Sequence, residues 1–540
     1  MTTAAWLHRI LAEAVGEEMR ARGIDEPPEV PRLEEPRDPQ HGEFASTVAL
    51  ELARLARTAP RELASAIVAR LEPVVAERVA AIEVAGPGFI NFHLHPRELM
   101  EDVQALGRDL DAALALDVGH GERVLVEFVS ANPTGPLHIG NGWLSIYGDA
   151  LARLLAHAGY QVTREYYVND TGGQIRTLGA SVLAARRGET IPEGGYRGAY
   201  IYKLAQSYDG PDDERAAGSW AVPRILAMIR EALEGLSITF DSWYSQAAIE
   251  EGGLVEQVVE ELAARGAVYE HEGALWFAAQ RFGDTRDRVL RKSNGDYTYL
   301  AGDIAYHYDK LVVRGFDRAI DVFGADHHGQ VASLHAAMAA LGIDAGRLEI
   351  RLGQMVSLLE GGEAVKFSKR AGTAIPLSQL VDELGADATR LLALSSSIDR
   401  AAQIDLEVAR SQSSENPVYY IQYAHARISA LRRQAAAKGV AIDLDADLTV
   451  LAHPRELELA KELLRLPEVL EVAVRERAPH RVVSWLLEAA GAFHGFYHDC
   501  PILAEVELDR RAARLRLADT TGRVLERALG LIGVHAVEEM

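Results

Sequence analysis

Eleven residues, NPTGPLHIGNG from Asn132 to Gly142, put a histidine and two asparagines between a strand-like run, VLVEFV (Val124–Val129), and a run with helical spacing of apolar residues. Leu144, Tyr147, Leu151, Leu154 and Leu155 recur on one face, and Gly159 stands where a glycine stops a helix. His138 and Asn141 therefore fall in the approach to that helix or in its first turn. A helix start offers unpaired N–H groups and partial positive charge, so it holds anions, and Gly135 and Gly140 let a phosphate come close to backbone. Far downstream, LLEGGEAVKFSKRAGTAIP clusters Lys366, Lys369 and Arg370 behind Gly361 and Gly362, a cationic loop with hinge-like flanks. Each stretch alone has an ordinary reading: a structural histidine in a turn, and a solvated surface loop. Together they match displacement at a nucleotide α-phosphate, where charge builds on phosphate oxygens and preorganised donors lower the barrier.

The elements that must position these groups follow from the pattern. From about Arg123 to Ser357, apolar β-rich runs (RVLVEFV, QVTREYYV, AIDVFGAD, LEIRLGQMV) alternate with helical stretches, which implies an α/β core with a parallel sheet. The long segment from about 175 to 282, with helices of its own and the strand GALWFA, reads as an inserted lobe. Residues 1–115 read as a small α+β domain, 116–395 as the catalytic core, and 396–540 as an all-α domain.

The formal net charge of −23 over 540 residues argues against a whole-surface attraction to nucleic acid, so an anionic partner must be met by local basic patches. The single cysteine, Cys500, excludes an internal disulfide and a multi-cysteine zinc site, which fits the cytoplasm. Glu13, Glu17 and Glu18 in the first helical stretch argue against a targeting peptide, and no apolar run approaches the roughly 20 residues that span a bilayer.

HIGN and KFSKR resemble the HIGH and KMSKS motifs of class I aminoacyl-tRNA synthetases. The runs VEFVSANPTGPLHIGN, REYYVNDTGGQ, YTYLAGDIAYHYDK, GADHHGQV, GGEAVKFSKRAG and ENPVYYIQYAHARI resemble arginyl-tRNA synthetases in particular. DPQHGEFASTVALELA and GPGFINFHL resemble that family's N-terminal domain, so the likeness spans nearly the whole chain. It implies a Rossmann-like class I core with an inserted connective lobe and the KFSKR loop at 361–371, between an N-terminal tRNA-binding domain and a helical anticodon-binding domain. The implied reaction is ATP-driven activation of arginine to the adenylate and transfer to the 3′ end of tRNA(Arg).

By the same resemblance, His138 and Asn141 contact ATP phosphates, and Lys369 with Lys366 stabilises the charge that develops as pyrophosphate leaves. Pro133, Gly135, Gly140, Asp326, His327, His328 and Ser368 complete the expected ATP site. Asn141 replaces the usual second histidine, which exchanges a possible charge-assisted hydrogen bond for a neutral one, and Trp143 stands where the family often has arginine. A guanidinium presents five donors and no acceptor, so its pocket needs carboxylates and carbonyls. The motif match places Ser130, Asn132, Asp170, Gln174, Tyr299, Asp303 and His327 around arginine, although by residue type alone Asp303 reads as a helix N-cap. In the C-terminal domain, Tyr419, Tyr423, Arg427, Arg432, Arg433, Arg510 and Arg514 are the expected tRNA contacts, against the alternative that several are core residues or ion-pair partners.

His327 and His328 do not make a zinc site, since neighbours in a turn diverge and no further ligands complete a tetrahedron. Magnesium is expected only as a companion of ATP, and a monomer is expected. Competing readings are a class I synthetase for another amino acid, a nucleotidyltransferase of the same superfold, and a tRNA-binding paralogue that has lost catalysis through Asn141 and Trp143. A helical C-terminal domain of this size argues against the nucleotidyltransferase, and the retained lysines argue against the paralogue.

Overall fold

The computed structural model describes every residue except 1–2, 27–28, 35, 37, 361–362, 365–375 and 414. Five β-rich runs pair in parallel: β1 (Arg123–Glu127), β2 (Gln161–Val168), β3 (Ser242–Ser245), β4 (Arg318–Gly324) and β5 (Leu348–Gly353). Their order is β5-β4-β1-β2-β3. Val124, Leu125 and Val126 are fully buried, as a central parallel strand covered by helices on both faces requires. The order reverses between β1 and β4, so the C-terminal ends of those two strands flank the crevice in which such sheets bind ligands.

The helices around the sheet are α1 (Ile139–His157), α2 (Gly173–Arg187), α3 (Ala199–Ser207), α4 (Glu214–Glu234), α5 (Tyr299–Tyr308) and α6 (His328–Ala340). The segment 175–282, expected as one inserted lobe, returns to the sheet midway, because β3 pairs with β2 from Glu165 to Val168. The expected strand Val124–Val129 ends at Glu127. Val129 (φ 70°) and Ser130 (φ 36°) are both left-handed, and Ser130 N donates to Phe128 O at 3.0 Å, closing a three-residue turn. A β-branched residue in that region is strained by about 1–3 kcal/mol, and such strain gathers at functional sites. LEIRLGQMV is likewise not one strand. Gln354 N bonds Ile398 O at 3.0 Å, and the chain continues as Val356–Glu360, which pairs in parallel with Ala402–Asp405 in a separate small sheet.

Residues before the core form helices Thr3–Ala21, Pro60–Val75 and Pro96–Arg108 over an antiparallel sheet with Phe89–Leu94 at its centre. After the core, helices Pro417–Ala437, Pro454–Arg475, His480–Asp499 and Leu508–Leu531 pack around buried Trp485, Phe493 and Phe496. The block expected to start at 396 thus opens with a strand of the small sheet, and the long helices begin at Pro417. The two flanking regions touch: Arg32 makes a two-pronged bond to Glu471 at 2.6 and 2.7 Å, and Lys461 pairs with Glu43 at 2.7 Å.

Arg390, fully buried, bolts three regions together. Its guanidinium donates to Asp149 of α1 at 2.5 Å, to Leu236 O at 2.9 Å and to Ile532 O at 2.8 Å.

Candidate active site

His138 is the N-cap of α1, and the reason lies in two side chains. His138 Nδ1 accepts from Asn141 N at 3.4 Å, and Asn141 Oδ1 accepts from His138 N at 3.5 Å, a reciprocal capping box. With Nδ1 accepting, the ring hydrogen sits on Nε2; with Oδ1 accepting, the Asn141 NH2 faces away from the cap. Gly140 serves the histidine, because a Cβ there would lie 3.1 Å from the His138 ring. At Gly135 the space of the missing side chain is filled by Tyr200, whose Oη would be 2.8 Å from a Cβ, so the glycine makes room for that ring. Pro133 is buried and Asn132 half-buried in the same turn, with Asn132 O accepting from Thr134 N at 2.7 Å.

The chain beyond the lysine motif comes back to this turn. His138 and Pro376 form an antiparallel bridge, and Leu377 N donates to Leu137 O at 2.9 Å. Lys366, Ser368 and Lys369 themselves lie outside the described residues.

On the other side of the crevice β4 ends at Gly324, and a single turn, Ala325–His327, leads into α6. His327 packs against the Phe323 ring and its Nδ1 meets Gln330 Oε1 at 3.0 Å, while Asp326 and His328 are exposed. Asp303 is the fifth residue of α5, not its cap; the cap position is Thr298, whose hydroxyl bonds Val289 O instead. Burial pushes the Asp303 carboxyl up to about 6, with Glu127 adding to the rise against His307, His327 and Lys310. Tyr299 opens the same helix and is 64 % exposed. Gln174 is exposed in the first turn of α2. Asp170 is engaged elsewhere, accepting from Ser245 Oγ at 2.6 Å and from Ala247 N at 3.0 Å to hold the start of a helix.

Beneath these groups lies an ionic network that the sequence reading missed. Lys310, fully buried, pairs with Glu127 at 2.5 Å and Asp321 at 2.8 Å and sits over the Tyr306 ring. Burial raises the Glu127 carboxyl, whereas Lys310 and His307 hold Asp321 low against its own burial. His307 spans Asp303 O and Asp321 Oδ2, at 2.6 Å each. Ser130 Oγ donates to Glu127 at 2.7 Å and accepts from Tyr167 N, and Tyr306 donates to Glu165 at 2.6 Å. No local pattern signals the Lys310 cluster, since Asp321 stands on the next strand and Glu127 lies 183 residues away.

The expected tRNA contacts separate into two groups. Tyr419 and Tyr423 stack at 5.5 Å, and Arg427 lies over the Tyr423 and Tyr497 rings. Tyr423, Arg427, Arg433, Tyr497 and Met540 line an open cavity of about 390 Å³. Arg514 is corrected: it is 7 % exposed and bonded to Glu456, Pro501 O and Glu505, which leaves it no surface for a phosphate. Arg432 is held by Asp519, and Arg510 pairs with Glu507.

Residues 105–193 and 220–428 match the tRNA synthetases class I (R) catalytic domain, 7–94 the arginyl tRNA synthetase N-terminal domain and 421–540 the DALR anticodon binding domain. The arginine–tRNA ligase of Bacillus subtilis is 40% identical over 100% of both chains. The chain belongs to the arginyl-tRNA synthetase family. The Geobacillus kaustophilus arginine–tRNA ligase is 43% identical over 98% of this chain and 99% of its own. Among solved structures, the Thermus thermophilus arginyl-tRNA synthetase superposes with a TM-score of 0.77, at 25% identity and with 99% of this chain and 100% of that chain covered. The class I α/β core with flanking N-terminal and helical anticodon-binding domains is thus the arginyl-tRNA synthetase architecture. Among the described residues, no group of three metal-binding side chains occurs and no helix is long and apolar enough to cross a membrane.

Proposed function

We propose that the turn from Asn132 to Asn141 and the lysine segment are the two halves of one adenylate-forming site. The reaction is arginine–tRNA ligation: the arginine carboxylate attacks the α-phosphorus of ATP, pyrophosphate leaves, and a hydroxyl at the tRNA 3′ end then takes the arginyl group from AMP. The observation that carries the reading is the bridge between His138 and Pro376, which ties the chain just beyond KFSKR to the helix start that carries HIGN.

In this reading His138 Nε2–H, the Asn141 NH2 and the N–H groups of α1 face the phosphates, and Lys366 and Lys369 stabilise the charge that develops as pyrophosphate leaves. Donors fixed before charge develops cost no reorganisation at the moment of reaction. Across the crevice His327 and His328 complete the ATP contacts, with ATP entering as its magnesium complex and Asp326 exposed beside it; Ser368 of the lysine segment is assigned to ATP by its motif. Asp303 in its ionised form accepts from the arginine guanidinium, with Tyr299 and Gln174 at the rim and Asn132 and Ser130 toward the backbone end. Tyr423 and Arg427 stack on and steady a tRNA base beside Arg433. The enzyme acts as a cytoplasmic monomer.

The test is charging of tRNA(Arg) by purified protein with ATP and each of arginine, lysine, methionine and cysteine, for wild type and His138→Ala. Arginine-only charging that collapses in the variant is expected. Intact tRNA binding with no amino acid charged would replace this reading by that of a tRNA-binding paralogue.

A further inference from the structure

Three carbonyls of the HIGN turn are tied down by three different elements. Ala131 O accepts from Tyr166 Oη of β2 at 2.8 Å, Thr134 O from Tyr200 Oη of α3 at 2.8 Å, and Leu137 O from Leu377 N at 2.9 Å. The Tyr200 ring also fills the place of the missing Gly135 side chain, with Cζ 3.0 Å from where a Cβ would stand. Thr134 is 4 % exposed, so its carbonyl has little access to water once the phenol is removed. The segment that carries Tyr200 is tied to α2 on both sides: Tyr196 N bonds Ser181 Oγ at 2.9 Å, and Arg186 bonds Gly210 O, three residues past α3, at 2.9 Å. It lies in residues 194–219, the stretch that the class I catalytic-domain match leaves out.

We propose that Tyr200 is a positioning residue for adenylate formation, holding the Asn132–His138 turn so that His138 is aimed at the ATP phosphates. The proposal rests on the reading of that turn as the phosphate site. Tyr200 is proposed to act through Thr134 O and through its ring in the place of the Gly135 side chain. A bond to the middle of the turn fixes the path between Asn132 and His138, and small misplacements of a donor in such a site are costly in rate. The phenol thus makes the segment between β2 and β3 part of the catalytic geometry.

The experiment is single-turnover pyrophosphate release with ATP, arginine and tRNA(Arg), for wild type, Tyr200→Phe, His138→Ala and the double variant, with the thermal midpoint of each. Tyr200→Phe is expected to keep the full amplitude and to lower the midpoint by no more than a few degrees, the cost of one unpaired carbonyl, while the rate falls about tenfold. In the His138→Ala background, Tyr200→Phe is expected to cost less than about twofold more, because residues that act through one another are not additive. A wild-type rate in Tyr200→Phe beside a collapsed His138→Ala overturns the positioning role and leaves the phosphate-site reading standing. So does a loss of amplitude or midpoint in place of rate, or losses that multiply in the double variant. A wild-type rate in His138→Ala overturns the reading of the turn itself, and this inference with it.

Discussion

His138 and Asn141 cap one another: each accepts a hydrogen bond from the other's backbone N–H, at the first turn of the helix that follows the central strand. The pair therefore has a structural task and a proposed chemical one, and the two tasks use opposite ends of the Asn141 amide. Asn141→Asp separates them. The carboxylate still accepts from His138 N and suits the positive end of the helix, so the thermal midpoint should hold within a few degrees. The donor is gone and a negative charge faces phosphate, so pyrophosphate release should slow by at least about a hundredfold. An equal loss in both measurements would reduce Asn141 to a cap.

The role proposed for Asp303 as acceptor of the arginine guanidinium carries a pH dependence. The Asp303 carboxyl is raised to about 6, so it is mostly protonated below that pH and must lose the proton to meet a guanidinium. kcat/KM for arginine should therefore climb about tenfold per pH unit up to about 6 and level off above it, since this ratio reports groups of the free enzyme. Asp303→Asn should remove the inflection and leave a low, flat profile.

Lys310→Met leaves Glu127 and Asp321 facing each other in the core without their shared cation. Breaking a buried pair in this way costs about 3–5 kcal/mol, read as a lower urea midpoint at unchanged slope. A loss below about 1 kcal/mol would show that the two carboxylates find another partner.

Arg427 and Arg514 should part company in tRNA binding. Arg427→Ala should weaken tRNA(Arg) several-fold and lower the slope of log Kd against log salt by about 1. Arg514→Ala should leave that slope alone and lower the thermal midpoint, because it strands the buried Glu456.

The stop of α1 and the parallel core were legible because each depends on residues close in sequence: a glycine, an apolar period. His138 and Asn141 were placed at the helix start for the same reason, though their mutual cap was not foreseen. The approach of Tyr200 to Gly135 was not legible, because a glycine records only that something approaches and this group comes from another part of the chain. For Arg514 the alternative, an ion-pair partner, is what the structure holds; Glu505 is close in sequence, but Glu456, 58 residues away, carries no pattern that pairs it with Arg514. The Lys310 network stayed hidden on the same grounds, with Glu127 183 residues away. The reading of Asp303 as a cap failed because α5 begins five residues earlier than that reading requires, with Thr298 at the cap.

The Arg390 bolt also orders events in time. Its contacts reach 241 residues back to Asp149 and 142 residues forward to Ile532. During synthesis the sheet and its first helix can assemble early, yet the fastening of that helix waits for residues made long afterwards. Ribosome-bound chains that end before Ile532 should consequently carry a formed sheet with a loosely seated α1, and competence to make the adenylate should arise late in translation rather than domain by domain.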